Sequence, residues 1–218
     1  ISLDRQVYPV PFDESEMKDG ANNNLANYDG SSGTDDGDVT VWVSVTDPDF
    51  TDDQLKASSA PGTCKIGTTT INTFGALVAS GTELGPMTET SQGSNVYEVS
   101  FTIDETENGV QVLGGSTVLQ CSYADSAGDT GLATTVYDSA TFDLRNGTLT
   151  ADKSVYIMGQ DMVITLTDED LNLNSDSAET YALNLLEWDS SAASSQLMDG
   201  TTSSDFTANP TKLEETGD

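Results

Sequence analysis

DVTVWVSVTDPDFTDD, residues 38–53, is an alternating run that ends in two carboxylates, Asp47 and Asp49, set two residues apart. Val39, Val41, Val43 and Val45 take the odd positions and Thr40, Trp42 and Ser44 the even ones. That period of two reads as a strand with one face in a core. The phrase returns at residues 161–172, DMVITLTDEDLN, where Ile164, Leu166, Thr167, Asp168 and Asp170 answer Val43, Val45, Thr46, Asp47 and Asp49. Upstream of each copy lies another shared phrase, SLDRQVY at 2–8 and TADKSVY at 150–156. Two elements recurring in the same order mark one unit used twice.

The first unit is read as residues 1–145. Residues 1–8 form an opening strand ended by Pro9 and Pro11, and residues 11–37 are an insertion with turn chemistry throughout, which the second unit lacks. After the valine strand come a weaker strand at 64–71, a candidate edge at 72–80, and then Tyr97, Val99, Phe101 and Ile103 on one face of the next. Leu119, Cys121 and Tyr123 share a face, and Ala140, Phe142 and Leu144 close the unit. No window carries a helical period, and this spacing of short strands predicts an all-β sandwich.

The second unit is read as residues 146–218. It reaches KLEETG where the first has ELGPMTET, and the first unit's next strand, NVYEVSFTI, has no counterpart. The expectation is a second domain cut short before its last strands, in a segment of a longer protein, with the missing strands coming from later sequence or from a partner. About seven strands, with cysteines on the third and the penultimate, predict tandem immunoglobulin-like sandwiches.

Thirty-seven acidic residues against seven basic ones, with no histidine, give a formal charge of −30. That surface repels phosphate backbones, which argues against nucleic acid, and attracts cations or basic partners. An acidic coat that keeps the chain soluble in saline surroundings explains the charge equally well. Without histidine the serine–histidine and cysteine–histidine nucleophile pairs are excluded. No apolar run is long enough to span a membrane. Cys64 and Cys121 are expected to form one structural disulfide in an oxidising, extracellular setting, two buried thiols being the alternative.

In an immunoglobulin-like topology the loop after the second strand and the loop before the last share a pole. This brings Asp47, Asp49, Asp52 and Asp53 toward Asp125 and Asp129. Calcium takes six to eight oxygen ligands, and carboxylates leaving a strand at i and i+2 suit it. In the second unit Asp168, Asp170, Asn172, Asn174 and Asp176 fall on alternate positions, with Glu179 after them. That spacing echoes a helix-flanked calcium loop, but Leu173 stands where such a loop needs glycine and the flanks are strands, so the helical motif is rejected and the cation kept. Asp and Asn are also ordinary turn residues, which is the competing explanation. Acids in solvated turns, without an aromatic-lined cleft, argue against a glycoside hydrolase, so the chain is not expected to be an enzyme; Trp42 and Trp188 are assigned to packing. Asn146-Gly147-Thr148, between the units, is the one open glycosylation sequon, since Pro210 blocks the site at Asn209.

The phrases SLDRQVYPVPF, VSVTDPDF, ADKSVYIMGQDMVITLTDEDLN and KLEETGD resemble the surface-layer (S-layer) proteins of ammonia-oxidising archaea, the Thaumarchaeota, long secreted chains of tandem immunoglobulin-like domains. The resemblance spans both units. It implies a structural protein that tiles the cell surface as a porous lattice of its own copies, commonly dependent on divalent cations and able to enrich ammonium. It carries over to Asp47, Asp49, Asp168 and Asp170 as cation ligands. The rival expectation is an adhesin or pilus-like filament module built on the same folds.

Overall fold

The structure is a computed structural model, and it describes residues 1–12, 37–49, 60–75, 84–190, 193–197 and 212–216. Most of the 11–37 insertion, together with Asp52 and Asp53, lies outside the described residues, as does the side chain of Trp188.

The first unit carries strands β1 (Ser2–Leu3), β2 (Val7–Pro9), β3 (Val39–Thr46), β4 (Gly62–Ile66), β5 (Thr69–Phe74), β6 (Thr88–Glu89), β7 (Val96–Ile103), β8 (Thr106–Glu107), β9 (Val110–Gln111), β10 (Val118–Asp125) and β11 (Thr134–Asp143). Two sheets enclose one core: β1-β3-β7-β6 and β2-β11-β10-β4-β5. All neighbours pair antiparallel except β2 and β11, which run parallel. The valines of β3 are sealed against Phe101 and Ile103 from β7 and against Cys64, Ile66, Leu119, Cys121, Tyr123 and Phe142 from the facing sheet. This is the all-β sandwich that the alternation predicts.

Three elements differ from the sequence reading. The opening strand is broken: β1 joins one sheet and β2 the other, because Asp4 stops the ladder and turns the chain. Its Oδ1 accepts from Tyr8 Oη (2.5 Å) and from Trp42 N (2.9 Å). The weak strand at 64–71 is a hairpin, β4 and β5, turning at Gly67, whose φ of 59° favours glycine. Leu144 lies beyond β11 and is exposed.

The second unit carries β12 (Thr148–Ala151), β13 (Ile164–Thr167), β14 (Thr180–Ala182), β15 (Glu187–Ser190), β16 (Ala193–Leu197) and β17 (Lys212–Glu214), paired as β12-β13, β14-β17 and β15-β16. Ile164, Leu166 and Leu213 pack on buried Leu183 and Leu186. The repeat holds at the level of register. Ser2 faces Ser44 and Leu3 faces Val43, just as Thr150 faces Thr165 and Ala151 faces Ile164. Asp152 repeats Asp4: Oδ1 accepts from Tyr156 Oη (2.5 Å) and from Val163 N (3.0 Å).

Residues 171–175 fasten the second unit to the first. Thr40 N donates to Leu173 O (2.9 Å), and the Leu173 side chain enters the first unit's core. Arg5 donates to the Asn172 carbonyl (2.6 Å) and to its side-chain oxygen, and Ser175 Oγ donates to Asp4 (2.6 Å).

Candidate metal centre

The valine strand ends at Thr46, and Asp47 follows with its carboxylate turned inward, 3% exposed. Its Oδ1 accepts from Asp49 N (3.1 Å), a local turn that aspartate supplies through its short side chain. Its Oδ2 accepts from Tyr123 Oη (2.7 Å), across the sandwich from β10. At the end of β10 stands Asp125, whose Oδ1 accepts from Ala127 N (2.8 Å). Asp47, Asp49 and Asp125 each offer an oxygen, and the three lie within 4.8 Å of one another. Among the described residues this is the one such group of three.

Crowded carboxylates show in their titration. Asp49 is held above its usual range, chiefly by sharing a hydrogen bond with Asp47, then by desolvation and by the charges of Asp47 and Asp125. Burial and the bond to Asp47 push the Tyr123 phenol far up, so it is a donor throughout the working pH range. Among the described residues each Asp47 oxygen accepts one hydrogen bond, which leaves it a second lone pair to give. Three carboxylates, hard and anionic, fit a hard divalent cation; a full calcium shell needs carbonyl or water oxygens besides.

The other acids foreseen from sequence stand apart from this group of three. Asp129 is exposed and stands outside the group of three. Asp168 and Asp170 repeat the local turn, Asp168 Oδ1 accepting from Asp170 N at 3.1 Å, but they grip the linker between the units. Asp170 Oδ2 accepts from Arg145 N (2.7 Å), Glu169 pairs with the Arg145 guanidinium, and a Cβ on Gly147 would come within 2.5 Å of Asp168 Oδ2. Asp170 Oδ1 is sealed from solvent without a donor among the described residues, and desolvation raises its carboxyl. Both acids line a cavity of about 400 Å³ between the units, whose wall includes Val112, Leu144 and Leu171.

Asn172 and Asn174 make contacts within the protein. Asn174 Oδ1 accepts from Trp42 Nε1 (3.1 Å) and from Asp176 N (3.0 Å), while the Asp176 side chain is exposed. Asn172 and Asn174 of the alternate-position series thus also clasp the two units together. Spacing alone misses this, because the partners Arg5 and Trp42 lie more than a hundred residues upstream.

Cys64 and Cys121 form a disulfide at directly opposed positions of β4 and β10, their Cα atoms 4.1 Å apart. The bridge joins neighbours in one sheet, whereas an antibody domain bridges its two sheets. Asn146 is exposed in the linker. Among the described residues no helix is long and apolar enough to cross a membrane. No protein-family model matches the chain, and no curated protein matches it.

Proposed function

We propose that this chain is a structural segment of an anionic extracellular coat of the surface-layer type, its immunoglobulin-like sandwiches stiffened at one pole by calcium or another divalent cation. The observation that carries the reading is the convergence of Asp47, Asp49 and Asp125 from two strand ends on opposite sheets. A cation there neutralises the mutual repulsion of three carboxylates and ties the end of β3 to the end of β10. The duplicated local turn and the charge of −30 support a repeated, cation-handling scaffold. The disulfide is compatible with an oxidising compartment, and exposed Asn146 is open to a glycan. Enrichment of ammonium follows from charge sign alone, so molar sodium abolishes it.

Calorimetric titration of the metal-free chain with calcium tests the site. Heat on binding and a raised melting temperature, both lost in Asp49→Asn, support it; no heat and no shift remove it. Electron microscopy of the calcium-loaded protein tests the coat: two-dimensional sheets support a lattice. Threads favour the second reading, a filament or adhesin module, which the open apolar face of the second unit recommends.

A further inference from the structure

The two copies of the opening phrase share their internal bonds and differ in what covers them. In the first, β11 lies parallel on β2 in the register Thr141 to Val7, Phe142 to Tyr8 and Asp143 to Pro9. Tyr8 is fully buried, its ring centroid 5.8 Å from that of Phe142. Asp138, four residues before Phe142, accepts from Leu3 N (2.8 Å). In the second copy Val155 stands where Val7 does, and it is 79% exposed; Ile157 is 72% and Met158 100% exposed. Met162, the counterpart of sealed Val41, is 42% exposed, and Val163 is 60% exposed. Asp152 holds Val163 against this loop through Asp152 N to Val163 O (3.0 Å) and Val163 N to Asp152 Oδ1. Five apolar side chains within nine residues thus face solvent around a half-buried tyrosine. Residues 155–157 pair with no strand among the described residues, whereas their counterparts 7–9 form β2 on β11, and an extended segment beside an apolar face is what β-strand addition uses.

We propose that the face formed by residues 155–163 takes one extended strand from a partner polypeptide, laid parallel to 155–157 as β11 lies on β2. The repeat specifies the occupant. Its strand carries an aromatic side chain against the Tyr156 ring, where Phe142 sits on Tyr8, and a carboxylate four residues earlier to accept from Ala151 N, as Asp138 accepts from Leu3 N. Lys153, the counterpart of Arg5, stands 5.6 Å from the Tyr156 ring and is paired with Asp152 (3.5 Å), as Arg5 is with Asp4, so the charge beside the tyrosine is also repeated. The inference does not rest on the coat reading, because the calcium pole lies in the other unit.

The test uses the peptide TTVYDSATFDLR, the chain's own residues 134–145, added in excess to the full protein and read by hydrogen exchange. The expected result is at least tenfold slower exchange of the amides at 155–158, lost when the peptide carries Phe142→Ser or the protein carries Val155→Lys. Calcium heats stay unchanged in both variants. Three results overturn the proposal: no protection at millimolar peptide; amides at 155–158 as protected in the protein alone as those of β2; or concentration-dependent dimerisation without peptide that by itself protects them, which makes a second copy the occupant.

Discussion

Removing a single hydroxyl, in Tyr123→Phe, isolates the bond that joins the two sheets at the acidic pole. Tyr123 Oη donates to Asp47 Oδ2 at 2.7 Å, with both side chains at most 3% exposed, so no water replaces the donor. A buried hydrogen bond to a charged acceptor contributes about 1.5–3 kcal/mol, and the ring's packing survives the change. The expected loss is therefore about 2 kcal/mol, which for a chain of this size lowers the melting temperature by about 4–8 °C. Scanning calorimetry in chelator measures it. Asp47→Asn alone and the double variant complete a cycle in which the combined loss falls short of the sum by about the value of the bond. A loss under about 0.5 kcal/mol, or strict additivity, would refute the view that this bond anchors Asp47.

Reducing Cys64–Cys121 releases a loop of 57 residues' separation, for which chain entropy gives about 4 kcal/mol; denaturant midpoints with and without reductant measure it. Burial, and next its hydrogen bond with Glu215, raise the Glu179 carboxyl to about 7. A carboxyl raised on folding stabilises fully below its ordinary value and loses that contribution as pH climbs through 7. The wild-type melting temperature should therefore fall from pH 5 to pH 8 relative to Glu179→Gln, and parallel curves for the two proteins would count against the shift. Arg5→Ala strips both bonds to Asn172 and should cost about 2 kcal/mol, seen as faster hydrogen exchange at 171–175.

The valine strand was legible because alternation is local: four sealed valines at period two admit one reading. The convergence of Asp47, Asp49 and Asp125 was legible for a different reason, since sandwich connectivity puts those loops at one pole whatever fills the core. The break at Asp4 was not, because the aspartate acts through Trp42 and Tyr8, one of them thirty-eight positions away. The clasp at Asn172 and Asn174 was hidden in the same way. A series of polar residues at alternate positions has the same signature whether its oxygens meet an ion, an arginine or an indole. The disulfide pair was legible as a pair, yet its place within one sheet depended on β4 and β10 being neighbours, which composition does not encode.

The duplicated phrases separate what a short sequence can do alone from what its surroundings add. Asp4 and Asp152 each hold a tyrosine hydroxyl four residues on at 2.5 Å and a strand amide at 2.9 and 3.0 Å. Asp47 and Asp168 each take the amide two residues on at 3.1 Å. Tyr8 is sealed while Tyr156 is half-buried, so burial cannot be what sets these bonds. Aspartate's reach to nearby backbone sets them. The surroundings decide what the device is used for. Where β10 returns beside it, the acid pair meets Tyr123 and Asp125 and makes a cluster of three carboxylates; where the linker passes instead, the same pair binds Arg145 and crowds Gly147. A strand added to the second unit would therefore find its turn geometry already made, and would have only apolar faces left to cover.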